Sequence, residues 1–134
     1  MAKRFPCIEP AHRDFVARQH IFFAASAAAG ARVNVSPRGI DALRLLGDNA
    51  ACYLDETGSG NETAAHLLAD GRLTLMFCAF EGAPMILRFY GHGEVMLRGT
   101  NAYRELLAAD SAGPDPTGAR QIIRQRIDLV VTSC

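Results

Sequence analysis

Two long runs of β-type residues, separated by a short turn, constrain this fold more than any other feature of the sequence. Residues 72–80 are mostly apolar, and residues 85–97 form a second run that Gly91 and Gly93 interrupt. The four residues between the runs, Glu-Gly-Ala-Pro, are typical of a hairpin connection. We therefore expect an antiparallel strand pair, with a bulge or a close backbone approach at the two glycines.

The rest of the chain predicts more strands than helices. Apolar or alternating runs predict strands at residues 21–26, 32–36, 43–46, 51–54 and 122–131, and Pro37 is expected to end the second of these. Helical spacing predicts short helices at residues 10–18, 61–69 and 101–108. Because tight turns join most strands, we expect a mainly β domain over residues 1–134, with six or seven antiparallel strands curled into a barrel. The chain stops directly after a strand, so we also expect a C-terminal tail beyond Cys134.

Composition argues against several classes of function. Fourteen Lys and Arg balance fourteen Asp and Glu, which leaves no net charge for binding nucleic acid. The small-residue run at 21–31 is too short to span a membrane, and charged residues separate it from the basic start, so no signal peptide or membrane partner is expected. The four cysteines are widely spaced and have no histidine at zinc spacing. We expect a cytoplasmic protein with reduced thiols and no metal site.

The stretch 57–63, Thr-Gly-Ser-Gly-Asn-Glu-Thr, is the strongest candidate for binding an anion. It lies between a predicted strand and a predicted helix, so its glycines and the helix N-terminus can present backbone N–H groups to a phosphate. Ser59, Asn61 and Thr63 add side-chain donors. The alternative is a capping box, in which Ser59 and Glu62 satisfy those amides and no ligand is needed.

Two strands carry further candidates. Arg32, Asn34 and Ser36 share one face of a strand that Arg38 follows, which indicates either a binding face or the solvent face of an edge strand. Arg88 lies within an apolar run, and we expect it to face outward and to have a partner. No Ser-His-Asp or Cys-His pairing is recognisable, so we assign no catalytic residue.

The order and spacing of these segments resemble the pyridoxamine 5′-phosphate oxidase-like family of FMN-binding split barrels. The similarity covers residues 15–95 and is carried by the strands 21–26 and 32–39, the stretch 53–63 entering a helix, and the strands 70–77 and 87–95. The resemblance implies a split β-barrel of the FMN-binding type. It also implies a homodimer with FMN in a cleft at the interface.

The resemblance further implies which residues hold FMN. Those along the flavin and ribityl chain would be Arg32, Val33, Asn34, Val35 and Ser36, with Arg38 near the same edge. Leu54 and Asp55 match positions beside the ring, and Ser59, Gly60 and Asn61 match the phosphate-binding turn. Because Gly60 and Asn61 stand where the oxidases carry basic residues, Arg32, Arg88 or an arginine of the other protomer would have to compensate.

By resemblance, the function is that of an FMN-dependent oxidoreductase acting on a small substrate or electron donor that the sequence does not identify. The C-terminal substrate-binding segment of the true oxidases is not recognisable, so oxidation of pyridoxamine phosphate is not expected. Two alternatives stay open. One is a non-catalytic module that binds FMN or haem, and the other is a deazaflavin-dependent reductase.

Overall fold

The computed structural model describes residues 1–56, 61–109 and 118–134, which contain eight strands and three short helices. The strands are β1 (Lys3–Phe5), β2 (Ile21–Ser26), β3 (Asn34–Gly39), β4 (Leu43–Leu45), β5 (Ala50–Glu56), β6 (Arg72–Cys78), β7 (Ile86–Leu97) and β8 (Ala119–Ser133). The helices are α1 (Pro10–Ala17), α2 (Glu62–Ala69) and α3 (Asn101–Ala109). No helix in these ranges is long and apolar enough to cross a membrane.

All eight strands belong to one curled antiparallel sheet. Its order is β3-β2-β6-β7-β8-β5-β4, and β1 pairs with β8 beside this path. The expected fold class, a mainly β antiparallel split barrel with short helices, is confirmed. The strand count is one too low, because β1 has only three residues, too few to show an alternating pattern.

The strand predicted at residues 32–36 is displaced toward the C-terminus. It begins at Asn34 and continues through Pro37 to Gly39, so the expectation that Pro37 ends it is wrong. The reason is that β3 lies at the edge of the sheet and, among the eight described strands, pairs only with β2. An edge strand has N–H groups that point away from the sheet, where proline is tolerated.

The expectation for Gly91 and Gly93 is confirmed. The register between β7 and β8 shifts between Tyr90 and Gly91, and a Cβ on Gly91 would overlap the carbonyl oxygen of Arg126. A Cβ on Gly93 would lie 2.8 Å from the methyl groups of Leu67, and the Gly93 N–H donates to the carbonyl of Gly71 at 2.7 Å. These contacts let α2 approach β7 closely.

The inner face of the sheet forms the main core. Phe22, Phe77 and Phe89 are fully buried there. Phe80 and Tyr90, aromatic residues of the same two apolar runs, are exposed. Phe80 lies beyond the end of β6, and Tyr90 points to the face opposite Phe89 because side chains alternate along a strand. A second cluster under α3 is formed by Cys52, Tyr103 and Ile122 with partly buried neighbours.

Candidate functional site

The polar side chains of β3 face the interior of the fold. Asn34, Ser36 and Arg38 are half-buried and pair opposite buried residues of β2, whereas the residues between them are exposed. They contact the first turn of α2 and the end of β5. We call the space between β3, α2 and β5 the seam. The interpretation of Asn34 and Ser36 as a solvent face is therefore wrong.

At the α2 end of the seam, hydrogen bonds hold the edge strand to the helix. Asn34 Nδ2 donates to Thr63 Oγ1 at 3.1 Å and to Ser36 Oγ at 3.2 Å. Thr63 is 1% exposed. One turn along the helix, Ser26 Oγ and His66 Nδ1 lie 2.9 Å apart, and both side chains are buried. Asn34 and Thr63, two of the predicted cofactor-binding residues, thus meet directly.

At the β5 end of the seam, three side chains bind one buried carboxylate. Asp55 is 2% exposed; its Oδ1 lies 2.7 Å from Arg38 Nη1. Its Oδ2 accepts from Gln121 Nε2 at 2.6 Å and from Arg120 Nη2 at 3.3 Å. Two predicted site residues, Arg38 and Asp55, are therefore an ion pair, and β8 supplies two partners.

The groups around this carboxylate are polar and poorly solvated. The Arg38 guanidinium lies 5.5 Å from the centre of the Tyr53 ring, over its face. Burial raises the pKa of the Tyr53 hydroxyl above its ordinary value. The Nε atoms of Arg38 and Arg120 are buried and have no hydrogen-bond partner within residues 1–56, 61–109 and 118–134. Unpaired N–H donors of this kind suit a ligand that carries acceptor oxygens.

Several predicted site residues lie elsewhere. Arg32 and Val33 are exposed before β3 begins, and Val35 is exposed on its outer side. Leu54 points to the opposite face of β5 from Asp55 and packs against the cluster under α3. Arg88 lies on the outer face of β7, as expected, and its Nη1 donates to Ser133 Oγ at 3.3 Å. No observation tests their roles in binding a cofactor.

The Gly-rich loop is only partly described. Ser59 and Gly60 lie outside the described residues, whereas Asn61 is the exposed N-cap of α2 and its side chain makes no capping hydrogen bond. The helix thus begins two residues later than the capping box with Ser59 as N-cap requires. That alternative is wrong in its position.

Sequence reasoning missed Arg120, Gln121, Tyr53 and His66. Arg120 and Asp55 are 65 residues apart, and only the pairing of β5 with β8 brings them together. A signal did exist for Gln121. Residues two apart on a strand share a face, so Gln121 lies on the same inward face of β8 as the buried Ile123. Within the described ranges, no group of three or more His, Cys, Asp or Glu side chains could hold a metal ion.

A curled antiparallel sheet with a polar, arginine-containing seam at its edge defines a split barrel. The match to a family model makes the assignment specific. The model described as pyridoxamine 5′-phosphate oxidase matches residues 8–134, so the chain belongs to that family. A relative from Aspergillus flavus, the pyridoxamine 5′-phosphate oxidase family protein ustO, is 42% identical over 87 residues. These are 63% of this chain and 35% of that protein, so the chain spans about a third of its length.

Solved structures show the same fold. A variant of HupZ from Group A Streptococcus matches with a TM-score of 0.75 at 18% identity, over 94% of this chain and 99% of that one. A putative pyridoxamine 5′-phosphate oxidase from Lactobacillus delbrueckii gives a TM-score of 0.73 at 14% identity, over 94% of both chains. Other neighbours, at TM-scores of 0.61 to 0.63, are named as an FMN-binding protein from Syntrophomonas wolfei, the heme storage protein HutZ from Vibrio cholerae, and an F420 reductase. At such identities the likeness shows the fold alone.

Proposed function

We propose that this chain binds FMN in the seam and works, as half of a homodimer, as an oxidoreductase on a small molecule. One observation carries the proposal. Five side chains expected to bind the cofactor, supplied by β3, β5 and α2, come together in the seam: Asn34, Ser36, Arg38, Asp55 and Thr63. Membership of the family and the FMN-binding neighbour support the choice of flavin.

The residues of the seam fit a flavin mononucleotide. Arginines with unpaired N–H groups suit a phosphate, and the amide of Asn34 and the hydroxyl of Ser36 suit the polar atoms of a ribityl chain. Bound FMN supplies transfer of hydride or electrons through its N5 atom, and the protein orients it and sets its electrostatic surroundings. Asp55 fixes the positions of Arg38 and Arg120 through its two ion pairs.

The outer side of β3 supports the homodimer. Val33, just before β3, and Val35, on its outer side, are 71% and 59% exposed, so two apolar side chains lie close together on this surface. Arg88 lies on the same outer face of the sheet, between Met76 and Val131 of the neighbouring strands. If a second copy covered this face, Arg88 and Arg32 of one protomer would lie near the flavin of the other. Light scattering on the purified protein tests this, and a monomer at micromolar concentration contradicts it.

A binding module without turnover is the second candidate. The polar side chains described in the seam are engaged with one another: Asp55 is paired with two arginines, and His66 Nδ1 lies 2.9 Å from Ser26 Oγ. We therefore assign none of them as a catalytic acid or base. Many flavin reactions need no such group, so this observation keeps the second candidate without excluding the first.

An absorption spectrum followed by anaerobic reduction separates these possibilities. The purified protein is incubated with FMN, desalted and scanned, and a retained two-banded flavin spectrum is the expected result. The loaded protein is then treated with NADH or NADPH without oxygen and afterwards given an acceptor. Reduction and acceptor-dependent reoxidation support the oxidoreductase, whereas a flavin that stays oxidised supports the binding module. Failure to retain FMN, with uptake of haem or a deazaflavin instead, contradicts the proposal.

A further inference from the structure

Two buried guanidinium nitrogens in the seam find no acceptor among the residues that the structure describes. They are Nε of Arg38 and Nε of Arg120, and each of these arginines already uses a different nitrogen to bind Asp55. Folded proteins rarely leave buried N–H groups unpaired. Each Nε therefore points to an acceptor that the described residues do not supply.

The two arginines are held in position but remain accessible. Their side chains are 18% and 27% exposed, whereas the carboxylate that binds both is 3% exposed. Asp55 thus anchors the guanidinium groups from the protein side and leaves part of each open to a ligand. A guanidinium group presents several N–H donors in a planar fork, the geometry that matches the oxygens of a phosphate.

The charge at this point favours an anion. Arg38 and Arg120 contribute two formal positive charges and Asp55 one negative charge, which leaves one positive charge in excess. The N-terminus of α2, which the Asn61 side chain leaves uncapped, adds the positive end of a helix dipole. Glu56 and Glu62 oppose this charge, but both are exposed and therefore screened by solvent.

Arg120 also lies on β8 beside the end of β5. Its neighbour Ala119 pairs with Glu56, the last described residue before the Gly-rich loop. None of the residues 57–63 is Lys or Arg, so Arg120 contributes from a different part of the chain a positive charge that this stretch lacks.

We infer that Arg120, together with Arg38, binds the phosphate monoester of the cofactor and makes the protein select the phosphorylated flavin over the free one. The inference rests on the proposed function, because it assumes that flavin binds in the seam. Arg120 thereby becomes a determinant of specificity.

The test compares FMN with riboflavin, which lacks the phosphate. Dissociation constants for both are measured by quenching of flavin fluorescence in the unmodified protein and in Arg120→Gln, with urea unfolding to confirm that the variant is folded. Arg124→Gln is the matched control, because Arg124 is an exposed arginine on the same strand. Arg120→Lys, which keeps the charge but loses the fork, serves if Arg120→Gln does not fold.

Loss of one charge-assisted contact should weaken FMN binding about 10- to 100-fold in Arg120→Gln while riboflavin binding changes less than about twofold. Arg120→Lys should fall between, and Arg124→Gln should match the unmodified protein. Equal loss for both flavins, or no loss for either, overturns the inference but leaves the proposed function standing. An unmodified protein that binds neither flavin overturns both.

Discussion

Replacing Asp55 by alanine tests whether the buried ion pair supports the seam, and Asp48 provides a matched comparison. Both aspartates bind an arginine at similar distances, 2.7 Å to Arg38 and 2.9 Å to Arg13. They differ in exposure, because the Asp55 side chain is 3% exposed and that of Asp48 is 66% exposed. The two variants therefore compare a buried carboxylate that holds three side chains with an exposed ion pair.

The expected difference follows from solvation. Removing one partner of a buried pair leaves an uncompensated buried charge, which costs about 3–5 kcal/mol. Asp55→Ala leaves two arginines and the Gln121 amide without their shared acceptor, so we expect that range. An exposed pair contributes about 0–1 kcal/mol because water screens it, so Asp48→Ala should cost no more. The free energy of unfolding of a typical protein is about 5–15 kcal/mol, so Asp55→Ala should remove a large part of it and Asp48→Ala a small part.

Urea unfolding followed by circular dichroism, at pH 7 and without flavin, measures both values. For a slope of about 2 kcal/mol per molar urea, Asp55→Ala should lower the midpoint by about 2 M and Asp48→Ala by less than about 0.5 M. The reasoning is refuted if the two variants lose equal stability, or if Asp55→Ala loses less than about 1 kcal/mol.

The remaining predictions concern the bulge, one histidine and the cofactor. Gly91→Ala should cost about 3 kcal/mol or more in urea unfolding, because the new methyl group overlaps a carbonyl oxygen of β8. Gly39→Ala, with open space around it, should cost far less; equal losses contradict the packing argument. Burial lowers the pKa of His12, whose Nδ1 accepts from the Glu9 amide. The His12 imidazole therefore binds a proton more readily in the unfolded chain than in the folded protein. Its contribution to stability should be complete above pH 6.5 and fall as the pH drops below that value, and unfolding of His12→Gln should show a weaker dependence on pH between 7 and 5. Arg32→Ala and Asn61→Asp should each weaken FMN binding about tenfold, the second through repulsion of the phosphate. Asp caps a helix as well as Asn does, so unchanged thermal stability with weaker binding is the expected pattern for Asn61→Asp.

Local pattern was enough to predict most of the sheet. Alternation and apolar runs placed β2, β6 and β7 close to their observed bounds, and the two glycines marked the bulge in β7. These features depend on neighbours along the chain. The continuation of β3 past Pro37 was missed because the tolerance for proline depends on the strand being at an edge, which no local pattern reveals.

The candidate site shows the same division. Asn34, Arg38, Asp55 and Thr63 were each predicted to bind a cofactor, but not to bind one another. The contact of Asp55 with Arg120 exists only because β5 and β8 are neighbours in the sheet.

The sequence by itself determined where strands form, which faces are apolar and which chemical groups are available. Backbone propensity and side-chain period are local properties, and they can be read from a single segment. Only the tertiary structure decided that Arg38 and Arg120 share one buried carboxylate, and that their Nε donors meet no acceptor in the described part of the chain. Burial and charge pairing are properties of the packed sheet, because they depend on which distant residues exclude water from each group.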